Sequence, residues 1–71
     1  MRRQAVQSSA LKSIGYNTEK FILELEFREG GVWQYFKFKP GAYKKFTSSE
    51  SLGNFFVTKI KGKYREEKVG Y

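Results

Sequence analysis

Few side chains in this sequence could do chemistry. There is neither histidine nor cysteine, which removes the usual general base, the thiol nucleophile and most ligands for transition metals. Glu24 and Glu26 stand two apart in an alternating run and so share one strand face, as a carboxylate pair for acid–base work would. Nothing near them in the sequence signals a shifted pKa, and a solvated strand face accounts for them better. Glu66 and Glu67 are adjacent and diverge. Ser48, Ser49 and Ser51 have no base to activate them, and helix capping explains them. Gly30-Gly31 is not followed by a helix pattern, so it reads as a turn and not as a phosphate cradle. The expectation is a chain with no catalytic residue, no metal site and no cofactor: a binding module and not an enzyme.

Charge and aromatic surface remain. Fourteen bases against seven acids give a formal net charge of +7. Residues 1–29 carry net +1, residues 30–65 net +7 and residues 66–71 net −1. Such a field draws polyanions, nucleic acid first and anionic membrane second, although lysines also serve plain solubility. The candidate nucleic-acid-binding residues are Lys37, Lys39, Lys44, Lys45, Lys59, Lys61, Lys63 and Arg65. From Lys59 onward the spacing of two does not fit one helical face; it fits a fraying helix end or an extended segment that follows a phosphate backbone. Lysine contacts to phosphate are independent of sequence, so this patch offers affinity more than specificity. Trp33 and Tyr35, two apart in "GGVWQYFKF", are the candidates for stacking on bases.

The elements that must position these residues follow from periodicity. "ALKSIGYN" (residues 10–17) alternates loosely and reads as a first strand, with Asn17–Lys20 as a polar turn. "FILELEFR" is the clearest strand, with Phe21, Leu23, Leu25 and Phe27 on one face and Glu24, Glu26 and Arg28 on the other. A glycine turn leads into a third strand, Val32–Phe38. Pro40 ends that strand and opens a short helix through Ala42, Tyr43 and Phe46. Thr47 with Glu50 resembles a capping box for a second helix, with Ser51 as a rival cap. Leu52, Phe55, Phe56 and Ile60 form the apolar stripe of that helix, and Gly62 stops it. "KYREEKV" reads either as a last strand or as an ordered tail. The predicted class is α+β: a three-stranded antiparallel meander, then two short helices, with or without a final short strand. Residues 1–9 lack periodicity and read as a flexible segment ahead of a single domain over residues 10–71.

The orientation of Trp33 and Tyr35 depends on the hairpin loop. A two-residue turn at Glu29-Gly30 sets Phe27 opposite Val32 and turns the aromatic pair outward beside Glu24 and Glu26. A three-residue loop at Glu29–Gly31 sets Phe27 opposite Trp33 and Leu25 opposite Tyr35, which makes the pair core. The second register gathers six large apolar side chains on one face and is the better packed, at the cost of turning Phe36 and Phe38 to the other face.

Taken in order, "SSALKSIGY", "LELEFREGGVWQYF", "KPGAYKKF" and "SLGNFFVTKIKGKY" resemble the KTSC domain family, small domains at the C-terminus of some lysyl-tRNA synthetases and in stand-alone bacterial proteins. The resemblance spans about residues 8–69. It departs at the family's central Tyr-x-Tyr, where Trp33 takes the first place. It implies the fold and, through attachment to an enzyme that handles tRNA, RNA as a partner class. It assigns no site residue, and aminoacylation is not implied, because no catalytic or anticodon-binding segment is present.

Three functions are thereby expected in order. The first is RNA binding, with DNA second, through the basic surface of residues 37–65. The next is docking to an acidic protein surface or a larger enzyme. Last comes peripheral membrane binding through the Leu52–Ile60 helix, whose apolar face the core needs. No run is long enough to span a bilayer and no secretory signal is visible, so a cytoplasmic monomer is the expected setting.

Overall fold

The computed structural model describes residues 2–70. Its strands are β1 (Arg3–Ala5), β2 (Leu11–Asn17), β3 (Ile22–Phe27), β4 (Val32–Tyr35) and β5 (Glu66–Gly70), with helices α1 (Pro40–Thr47) and α2 (Leu52–Phe55) between β4 and β5. A π-helical turn, Phe56–Ile60, prolongs α2. The strands form one antiparallel sheet in chain order. The predicted α+β class stands, but the sheet has five strands and not three. The meander of β2, β3 and β4 is its centre, and β5 is the final strand left open above. The extra strand at the other edge is β1, three exposed residues whose "RQA" shows no alternation.

The β3–β4 loop explains the aromatic pair. Phe27 N–H donates to Gly31 C=O at 3.0 Å and Gly30 N–H to Phe27 C=O at 3.0 Å, closing a three-residue loop over 28–30. Gly30 and Gly31 have φ of 110° and 96°, where only glycine sits without strain. The loop lies one residue earlier than predicted, so Leu25 faces Trp33 and Leu23 faces Tyr35. An even shift of register keeps every side chain on its face. Tyr35 is thus core, at 2% exposure, and Trp33 is half-buried against it.

Simple alternation fails at two places. Phe21, expected in the core, is exposed at 38%, whereas Phe38, expected on the far face, is buried at 1%. Both reversals arise from left-handed backbone, at Phe21 (φ 57°) and Lys37 (φ 59°). Continuing the β3–β4 register sets these two opposite each other, and Phe38 N–H donates to Phe21 C=O at 2.8 Å. Each such residue costs about 1–2 kcal/mol for an L-amino acid. The turn at Lys37 aims Phe38 back into the core.

The helices cover one sheet face. Leu11, Ile14, Leu23, Leu25, Tyr35, Phe38, Phe46 and Ile60 form the core between them. Ser51, and not Thr47, caps α2: its hydroxyl accepts from Asn54 N–H at 3.2 Å. Thr47 instead donates back to the carbonyls of Tyr43 and Lys44. Gly53 lets α2 approach the segment just ahead of β2 closely, since a Cβ there would stand 3.2 Å from that of Ala10. The π turn closes with Lys61 N–H on Phe56 C=O at 2.8 Å.

Candidate nucleic-acid interface

The chain leaving β4 and the chain approaching β5 are held together beside the left-handed turn. Phe36 N–H donates to Arg65 C=O at 3.0 Å, and Phe38 N–H is bonded to Phe21. Lys37, exposed between them, is therefore fixed by the amides on both sides. Two hollows meet at this point, sharing Lys37 and Tyr64 as a common wall. The first, about 620 Å³, has Phe36 and Tyr64 on its apolar lining and Lys20, Lys63 and Arg65 at its rim. The second, about 860 Å³, runs along the start of α1, with Phe38 and Phe55 in its lining and Lys39, Lys45 and Lys59 around it.

The fold thus gathers Lys37, Lys39, Lys45, Lys59, Lys63 and Arg65 of the predicted cluster around two joined hollows. Lys44, on the exposed side of α1, lines neither. Lys61 is separated from the others and stands beside Glu29 and Glu66 in a third hollow of about 200 Å³. Among the described residues the lysines around the joined hollows make no ion pair. Arg65 lies 3.9 Å from Glu67, with both side chains well exposed. The first turn of α1 holds no acidic residue and its N-cap makes no side-chain bond, which leaves the positive end of the helix uncompensated.

The aromatic side chains beside these cations are Phe36, Phe38, Phe55 and Tyr64, not Trp33 and Tyr35. Phe36 is half-buried with the Arg65 guanidinium 5.8 Å above its ring, and Tyr64 packs edge-on to Phe38 with centroids 4.9 Å apart. Strand alternation carries the signal for Phe36, since it follows Tyr35 and faces away from the core. Tyr64 and Lys20 gave no signal, because only the folded chain brings them to Lys37. Trp33 and Tyr35 line the third hollow with Phe27 and Phe56. Tyr35 is its floor: burial, reinforced by the Glu66 carboxylate at its hydroxyl, raises its pKa above the usual phenol value.

Across the sheet, Glu24 and Glu26 are not simply solvated. Glu24 is buried at 6%, with the Arg3 guanidinium paired to it and Gln34 Nε2 donating to it at 2.8 Å. Ser13 accepts from Arg3 Nε at 3.0 Å and donates to Glu26 at 2.8 Å. This network fastens β1 to the sheet, and both carboxylates have structural partners. No group of three or more potential metal ligands occurs among the described residues, nor any helix long and apolar enough to cross a membrane.

Comparison with known proteins agrees with this architecture. A crystal structure of a KTSC domain protein from Yersinia pestis superposes with a TM-score of 0.94 at 43% identity, covering 97% of each chain. A protein of Stutzerimonas stutzeri is 41% identical over 56 residues, 79% of both this chain and its own. A lysine–tRNA ligase of Nostoc punctiforme is 32% identical over 63 residues, which are 89% of this chain but only 11% of the ligase. The KTSC domain model itself matches residues 7–64. On that match and on the likeness to the Yersinia structure, the chain belongs to the KTSC domain family.

Proposed function

We propose that this domain is a non-catalytic binding module that takes RNA, in preference to DNA, on the basic surface centred on Lys37. One observation carries the reading. Seven cations from three separate segments, Lys20 among them, converge on two joined, partly aromatic hollows, with one carboxylate, Glu67, in their lining. A surface that is only soluble has no reason to concentrate charge around concavities, whereas a phosphate backbone rewards it. The relatives named lysine–tRNA ligase favour RNA over DNA as the polyanion. Nothing of the ligase reaction is carried over, since the shared segment is 11% of those enzymes.

The test is a fluorescence titration with single-stranded RNA, structured RNA and duplex DNA at low and physiological salt. If about five lysines meet single-stranded phosphates, log K should fall against log salt with a slope near about −3.5. Lys37→Glu, Lys59→Glu and Lys63→Glu together should abolish binding and leave the fold intact, while Lys61→Glu, away from the hollows, should change it little. Binding that ignores salt, or that survives the triple reversal, sinks the reading. Preference for an acidic polypeptide over every nucleic acid would instead favour a protein partner.

A further inference from the structure

We propose that the joined hollows receive the bases of adjacent unpaired nucleotides, so that the ligand of this surface is a single strand and not a duplex; this rests on the RNA reading above. A duplex offers a convex row of phosphates with its bases stacked inside, and exposed lysines on any flat surface would satisfy it. Here lysines and aromatic side chains line the same concavities. Both are open to solvent, and their volumes, about 620 and 860 Å³, leave room for a flat base. Bases splayed from a single strand are the part of a nucleic acid that fits such a lining, because every base has a flat face to stack.

Two details sharpen the assignment. The Arg65 guanidinium lies 5.8 Å over the Phe36 ring, and its side chain is 81% exposed and tied to Glu67 at no closer than 3.9 Å. The guanidinium can lift from the ring and admit a base between itself and Phe36, giving stacking on both sides. Lys37 stands on the wall between the hollows in a left-handed conformation, with the amides before and after it bonded. Strained residues held by their surroundings concentrate at ligand sites. Its ammonium is placed where the phosphate linking one base to the next would cross.

The experiment compares labelled single-stranded RNA, an abasic strand of the same length and charge, and a blunt RNA duplex in titrations of the wild-type chain at one salt concentration. The single strand should bind at least about ten-fold tighter than the abasic strand. Phe36→Leu and Tyr64→Leu should each remove most of that difference without weakening the abasic strand. Equal affinity for base-bearing and abasic strands, or tighter binding of the duplex, overturns the base-hollow assignment while the RNA reading stands. No binding to any of the three overturns both. The wild-type comparison decides the matter even if a leucine variant fails to fold.

Discussion

Tyr35 and Lys37 are two residues apart and do opposite things. Tyr35 is a core residue whose hydroxyl meets Glu66, and its raised pKa makes the neutral phenol the favoured folded form. Below the unfolded value of about 10 both states hold the proton and this contribution is fully present. Above it the unfolded chain ionises first, so stability falls by up to about 1.4 kcal/mol per pH unit for one such group. Burial raises Tyr16 and Tyr43 as well, with phenolate repulsion from Tyr43 adding at Tyr16. Tyr35→Phe should therefore make the alkaline fall of the urea midpoint shallower without removing it; an unchanged profile would show that Tyr35 is not a titrating core group. At Lys37 the left-handed backbone is a cost that glycine would not bear. Lys37→Gly is expected to raise stability by up to about 1 kcal/mol and to weaken RNA binding, as read by melting and by titration. The aromatic-x-aromatic pattern was legible because alternation fixes a face. The reversal at Phe38 was not, because no residue type in "FKFKP" announces a positive φ.

The edge strands show what periodicity misses. β1 and β5 carry few buried side chains, and their ladders to β2 and β4 come from backbone groups that any sequence supplies. The central strands were legible because one face had to be apolar. Arg3 is the exception at the edge, since its guanidinium covers the buried Glu24. Arg3→Ala should cost about 1–3 kcal/mol by leaving that carboxylate short of a partner. A double-mutant cycle with Glu24→Gln should show strong coupling, and additive effects would mean that the pair contributes little. α2 depends on a different detail. Gly53→Val would force side-chain atoms into the 3.2 Å approach to Ala10 and should destabilise by about 1–3 kcal/mol, measured as a shift in urea midpoint. Ser51 was legible only as a rival to Thr47 for the helix cap, and the reason for Gly53 lies across the molecule at Ala10, just ahead of β2.

At the scale of the molecule, a net charge of +7 on 71 residues works against compactness as it draws polyanions. The melting temperature of the free domain is therefore expected to rise with salt, the reverse of the affinity proposed for RNA. The triple reversal at Lys37, Lys59 and Lys63 lowers the net charge to about +1 and should flatten that rise. A melting temperature equally salt-dependent in both proteins would place the repulsion elsewhere. The charge was legible from composition, while its convergence was not, because Lys20, Lys37 and Lys59 meet only through the sheet and helices. The order of the strands also bears on how the chain reaches this state. Neighbouring strands are joined by short connections except at β4–β5, where residues 36–65 intervene. Local hairpins close early and long loops close late. β5 should accordingly be the last strand to dock and the first to open, with amides that exchange with solvent faster than those of β2 and β3. Because Arg65, on the wall of the first hollow, is bonded to Phe36 just ahead of β5, the strand that completes the sheet also completes the proposed binding surface. A bound ligand would act as a latch on the least persistent part of the fold.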